Sequence, residues 1–325
     1  MKPLNKKLLF TAAFLVLGVV FFASSSSAQH TSASSPPSSF DRAKIELRQN
    51  VYHDQNFSGH LGSLYCGCDW EWVGRSGGRI DNASCGYQKR AQQTRADRIE
   101  WEHIVPAYWI GHQLQCWQDG GRRNCTSNSP TFRMMEADMH NLSPSVGEIN
   151  ADRSNYRFAV LPDISNRHGA CQFKVDFSSR RAEPRDEVKG FVARVYFYMY
   201  DRYDLRMSAQ QERLLLDWHH RHPPSPWEIE RDRRIASIMG HSNPFVTGER
   251  QWTMGHRNTA EGMNNLTPDL SLMTDQGLSQ EYSIIGNTNS MVFYMLGMFE
   301  YLAISESWLP HVEPPFFIRV QNSTY

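Results

Sequence analysis

Six cysteines confine the middle of this chain: Cys66, Cys68, Cys85, Cys116, Cys125 and Cys171, with none before or after them. What they do depends on the compartment, and the N-terminus points to one. Lys2, Lys6 and Lys7 precede an apolar run over residues 8–22, and Ser26-Ser27-Ala28 offers the small residues at which a signal peptidase cuts. Residues 1–28 therefore read as a signal peptide, with a mature start near Gln29. No membrane span is expected after cleavage, since the run is short of the about 20 apolar residues a span needs. In an exported chain an even number of cysteines reads as disulfides. Cys66-Gly67-Cys68 is also too tight for zinc ligands, which stand about two to four residues apart. Three bridges are expected, each adding about 2 to 4 kcal/mol. Their pairing stays open.

The rest of the chain falls into segments. Residues 29–39 are rich in Ser with Pro36-Pro37, too poor in apolar side chains to offset ordering entropy, and read as a linker. From Phe40 the spacing of Ala43, Ile45, Leu47, Val51 and Tyr52 predicts a short packed helix. Residues 65–70 and 80–87 flank the glycine-rich 74–78 and predict two strands joined by a turn. Residues 99–105 alternate apolar and polar until Pro106, which puts His103 near a strand end. Ser143-Pro144 has the form of a helix start, with Val146, Ile149 and Arg153 at helical spacing beyond it and Asn150 facing the strand of Glu102 and His103.

Further on, Pro184 opens a helix striped by Val188, Phe191, Val192, Val195 and Met199. Ser208 with Gln211, and Ser225-Pro226 with Glu228, cap two more helices, the second ending at Gly240. The pattern is α+β, with short strands followed by helices and no internal repeat. After about residue 250 Gly, Asn, Thr and Met become frequent. The apolar run at 291–304 predicts a helix that packs on the domain or on a partner.

Removing residues 1–28 shifts the formal balance from 34 basic against 34 acidic groups to 31 against 34. That excludes a binder held by net charge and leaves room for a basic face. Arg outnumbers Lys by 27 to 7, which suits bidentate phosphate contacts.

Residues 101–155 concentrate His, Glu, Asp, Asn and Arg beside Trp, Pro and Gly, a composition that a packed core alone has little use for, because an unpartnered buried polar group costs about 1 to 3 kcal/mol. Glu102 and Asn150 offer the hard oxygen ligands that suit Mg²⁺, with Ca²⁺ or Mn²⁺ as alternatives. Neutral His103 has the basicity to deprotonate a water, and Arg122 the geometry to hold a phosphate. His112 and His140 read as structural or supporting. Each residue alone has a bland reading; the set is what persuades.

Trp101-Glu102-His103-Ile104-Val105-Pro106-Ala107, Gly111-His112-Gln113, Cys116-Trp117-Gln118-Asp119-Gly120-Gly121-Arg122, Asp138-Met139-His140-Asn141-Leu142 and Gly147-Glu148-Ile149-Asn150 resemble the bacterial endonuclease I family. The likeness runs from Tyr65-Cys66-Gly67-Cys68 to Asn243-Pro244-Phe245, roughly two thirds of the chain. It implies a ββα-metal (His-Me finger) nuclease core with added helices over residues 40–249, periplasmic or secreted. By position, His103 matches the family's general base, Glu102 and Asn150 its metal ligands, and Arg122 its phosphate-binding arginine. The implied reaction is metal-dependent cleavage of DNA, often RNA too, without sequence preference and leaving 5′-phosphates, by a monomer that binds the phosphate backbone. Members often carry a fourth disulfide; here Ile229 stands where Trp-Glu-Cys is common and the later cysteine is missing too, so one whole bridge is absent. Residues 250–325 lie beyond the likeness, as an extension of unknown role that is a candidate for holding a partner.

The sequence leaves two other readings open. One is a protein of reduced catalysis that binds nucleic acid or a partner through its C-terminal segment. The other is a zinc hydrolase built on His103, His112 and His140.

Overall fold

The computed structural model describes residues 36–57 and 59–264, together with the backbone of three strands further on. The expected signal peptide, most of the linker and most of the C-terminal extension lie outside the described residues.

Ser39 caps α1 (Phe40–Glu46) by accepting the Arg42 N–H, and the helix continues as a π-turn over Leu47–Val51. Ala43, Leu47, Val51 and Tyr52 are buried in a small core with Trp101, Ile235 and Met239. β1 (Trp70–Val73) and β2 (Gly77–Ile80) form an antiparallel hairpin, Trp70 opposite Ile80. The hairpin lies between the two segments expected to be strands, sharing only Trp70 and Ile80 with them, and two of the expected turn glycines belong to β2. A Cβ on Gly78 would lie 2.7 Å from the Trp70 ring and 3.0 Å from Ile99, so the missing side chain is what lets β2 pack. Residues expected to extend the strands are held in turns, where Cys66 bridges to Cys171 and Cys68 to Cys85.

Past the short α2 (Gln93–Ala96), β3 (Ile99–His103) ends on His103. Four short helices follow: α3 (Ala107–Gly111), α4 (Gln115–Gln118), α5 (Gly121–Asn128) and α6 (Pro130–Glu136). Cys116–Cys125 ties α4 to α5. All six cysteines are thus paired with one another. A 3₁₀ turn, Met139–Asn141, then leads into β4 (Leu142–Val146) and directly into α7 (Gly147–Arg153).

Ser143-Pro144, expected to open that helix, lies instead in β4, where Ser143 pairs with Glu102 and Pro144 with Trp101. Pairing with β3 overrides the local cap signal, and the helix starts at Gly147. Only glycine fits there, because a Cβ would come within 2.6 Å of the Arg95 carbonyl. The result is an antiparallel pair, β3 and β4, followed at once by a helix that packs on β3.

A small sheet of β5 (Arg157–Phe158), β6 (Lys174–Asp176) and β7 (Arg181–Glu183) has β7 at its centre. α8 (Asp186–Arg202) is buried at every residue from Val188 to Asp201, so the expected apolar stripe widens into a central helix enclosed on all sides. α9 (Ala209–Arg221) and α10 (Pro226–Met239) start at their expected caps: Ser208 accepts the Gln211 N–H and Ser225 the Glu228 N–H. Gly240 ends α10 in the left-handed conformation. Buried Arg194 of α8 grips Glu228 of α10 through two hydrogen bonds of 2.6 Å.

Residues 250–264 continue the packed body. Trp252 is buried against Phe197 and Phe245. Beyond them, β8 (Tyr282–Asn287) pairs with both β9 (Val292–Leu296) and β10 (Phe317–Val320). The helix expected over 291–304 is corrected to a strand at 292–296; its remainder lies outside the described residues. No helix among the described residues is long and apolar enough to cross a membrane.

Candidate active site

All five residues of β3 line a cavity of about 510 Å³, so it runs along the strand rather than over one face. Glu102, His103, Arg122 and Asn150 meet there, with Phe40 and Lys44 of α1 and with Arg95, Arg98 and Glu100. β3 supplies the carboxylate and imidazole, α5 the arginine and α7 the amide.

Glu102 is 2% exposed. The Tyr65 hydroxyl donates to its Oε1 at 2.7 Å, and the Arg153 Nε lies 3.4 Å from the same oxygen. Burial pushes its pKa up to about 7, against the pull of Arg153 and Tyr65. Arg153, fully buried, also donates to the Ile104 carbonyl and the Tyr196 hydroxyl and so fixes the chain beyond β3.

His103 is buried with its Nε2 2.8 Å from the Glu136 carbonyl oxygen. A carbonyl can only accept, so Nε2 carries the proton and Nδ1 is the free base. The Phe40 ring packs 4.6 Å from the imidazole. Burial, and then the Arg122 charge, lower its pKa to about 3, which keeps the ring neutral. Asn141 clamps the backbone just beyond: its side chain accepts the Val105 N–H at 2.7 Å and donates to the Val105 carbonyl at 2.9 Å.

Arg122 is half exposed, with its Nε held 2.7 Å from Glu136 Oε1. One residue, Glu136, therefore orients both groups, the imidazole through its carbonyl and the guanidinium through its carboxylate. The Asn150 amide is bonded to Glu100 rather than to Glu102. Its Nδ2 donates to Glu100 Oε2 at 3.0 Å. The Glu100 carboxylate also takes Arg95 and Arg98, and these partners outweigh burial to hold its pKa low.

The other two histidines stand elsewhere. His112 is stacked on Tyr108, 4.9 Å between centroids. His140 is 1% exposed, bonded to the His241 carbonyl and packed on Tyr198. Neither lines the cavity. Among the described residues no three His, Cys, Asp or Glu side chains gather as a metal group, so the zinc site of His103, His112 and His140 is not formed.

Tyr65, Glu100, Glu136 and Arg153 were not legible as site residues. Arg95 and Arg98, within five residues of Glu100, were the one sequence hint that a carboxylate there would be neutralised. Glu136 stands 33 residues from His103, and nothing local announces it.

A family model described as Endonuclease I matches residues 39–249. A periplasmic deoxyribonuclease of Aeromonas hydrophila is 47% identical over 196 residues, 60% of this chain and 82% of that protein. An extracellular deoxyribonuclease of the same organism is 45% identical over 214 residues, 66% of this chain and 91% of that protein. Endonuclease-1 of Buchnera aphidicola is 41% identical over 199 residues, 61% and 80% of the two chains.

Proposed function

This chain belongs to the endonuclease I family, and from that premise we propose that it is an exported, sequence-indifferent endonuclease with a ββα-metal core. Its substrate is DNA, with RNA second, cut to leave 5′-phosphates. The observation that carries the proposal is the meeting of Glu102, His103, Arg122 and Asn150 in one cavity on β3, α5 and α7. Export is supported by the periplasmic and extracellular relatives and by the three disulfides.

The donor set fits one hard divalent cation, Mg²⁺ foremost. Tyr65 and Arg153 both address Oε1 of Glu102, which leaves Oε2 for a cation. The raised pKa of Glu102 marks a buried carboxylate short of positive charge. Glu100 can only accept from Asn150, so the amide nitrogen faces Glu100 and the oxygen Oδ1 is left for the same ion. When bound, the ion stabilises charge on the phosphate and the leaving oxygen.

The chain's own groups supply the rest. Nδ1 of His103 takes a proton from water, and the water oxygen attacks phosphorus. The bond from phosphorus to the 3′ oxygen breaks, the 3′ oxygen takes up a proton from solvent and leaves as a hydroxyl, and the phosphate stays on the 5′ side. Arg122, held at Nε by Glu136, offers its terminal nitrogens to the phosphate. Contacts of this kind go to the backbone, which accounts for indifference to sequence.

Plasmid nicking by the oxidised protein, with Mg²⁺ or EDTA and alongside His103→Ala, tests this reading. Cleavage that needs metal and is lost in the variant is expected. Cleavage that persists in the variant moves the base elsewhere, and no cleavage by folded protein moves the reading to a binding role.

A further inference from the structure

Ser154 lines the cavity at the end of α7, and the next residue begins a different surface. The Asn155 backbone oxygen accepts the Trp109 indole N–H, and its side-chain oxygen accepts Arg180, both at 3.1 Å. From there cations and rings alternate. The Arg157 guanidinium lies 4.2 Å from the Trp109 ring centre, and that of Arg180 lies 5.6 Å from the Tyr156 ring. Tyr156 meets Phe177 edge-on at 6.4 Å. Phe177 in turn has Arg90 at 4.9 Å and Arg167 at 5.8 Å.

Three of the four guanidinium charges here are not cancelled. Arg90 is paired with Asp152, which is itself buried. Asp176 is partly open to solvent and accepts the hydroxyls of Ser178 and Ser179 at 2.6 Å, without an ion pair to any of these arginines among the described residues. Arg157, Arg167 and Arg180 are exposed, and their contacts among the described residues are with rings and with Asn155 rather than with carboxylates. Phe177 is 36% exposed. A large ring left open to water beside the unpaired guanidinium of Arg167 gains little for the fold.

A single nucleic-acid strand needs both kinds of group, rings for its bases and cations for its phosphates. A duplex needs only the cations, because its base faces are already stacked. We propose that the Trp109–Tyr156–Phe177 surface is a binding channel for single-stranded nucleic acid, continuous with the cleavage cavity through Ser154 and Asn155. Phe177 and Tyr156 stack bases, and Arg167 and Arg180 hold phosphates. Only the identity of the adjoining cavity rests on the nuclease reading.

The test is fluorescence anisotropy on the chain carrying His103→Ala, with labelled oligothymidine of about 20 nucleotides and a duplex of about the same length as probes. Phe177→Leu keeps an apolar side chain and removes the ring; Phe177→Trp keeps a ring. Leucine is expected to weaken oligothymidine binding about tenfold and tryptophan to preserve it, with duplex binding changed by less than about twofold. Arg180→Gln should lower the salt dependence of oligothymidine binding by about one phosphate contact. Equal binding by leucine and tryptophan variants, or equal loss for both probes, overturns the proposal. If the nicking assay succeeds and position 177 has no effect, the channel falls and the nuclease stands. If nicking fails while binding follows the ring at position 177, the channel stands and the nuclease falls.

Discussion

Glu100 and Glu102 stand two residues apart on one strand and are held in opposite states. Glu100 meets Arg95, Arg98 and Asn150 and is kept ionised. Glu102 meets one hydroxyl and one guanidinium at 3.4 Å, and its pKa rises to about 7. Under the proposed function the two would have separate roles: Glu102 as the carboxylate that gains from a cation, and Glu100 as the group that positions Asn150 for the same ion. Glu100→Ala is therefore expected to raise the dissociation constant for Mn²⁺ about tenfold by calorimetry, while Glu100→Gln, which keeps an acceptor for the Asn150 amide, loses less. Asn150→Ala is the control. If it weakens Mn²⁺ binding and Glu100→Ala does not, the positioning role is wrong. From the sequence, Glu102 and Asn150 were legible because they sit in an unusually polar stretch, whereas Glu100 depended on which arginines the fold would bring to it.

At the scale of elements, signals that depend on the chain's nearest neighbours were the ones that could be read. Ser208 and Ser225 cap their helices as their spacing indicates. Ser143-Pro144 carries the same signal and is a strand, because Glu102 and Trp101 pair with it from some 40 residues away. Ion pairs and disulfide partners were illegible for the same reason. α5 shows what such a long-range tie contributes. Its eight residues, GRRNCTSN, include no strong helix former except arginine, and it opens on Gly121 at φ +66°. The bridge from Cys116 to Cys125 anchors it to α4 and contributes about 2 to 3 kcal/mol by closing a short loop. Since α5 carries Arg122 but not Glu102 or Asn150, replacing both cysteines by serine should raise KM for DNA several-fold and leave Mn²⁺ affinity unchanged. Unchanged KM would mean that α5 holds its place without the bridge.

Over the whole molecule, composition and packing draw the end of the body at different places. The change in composition falls near residue 250, and the family match ends at 249. Two buried carboxylates cross that line. Asp201 of α8, 1% exposed, receives Arg250, His256 at 2.7 Å and the Thr259 backbone and hydroxyl at 3.0 and 2.9 Å. Glu212 of α9 receives the Trp252 indole at 2.8 Å and the Gly255 N–H at 3.0 Å. A chain stopped at 249 leaves both without these partners and removes the buried Trp252 ring. Breaking a buried charge pair costs about 3 to 5 kcal/mol, and losing a buried tryptophan about as much. Their sum rivals the about 5 to 15 kcal/mol that holds a domain together. Truncation after 249 is therefore expected to abolish cooperative unfolding in urea, and truncation after 264 to retain it. Equal stability of the two would show that the segment from Arg250 rests on the body without supporting it. With the 264 form folded, oligonucleotide and plasmid assays on it separate whatever residues 265–325 add from the chemistry of the cavity.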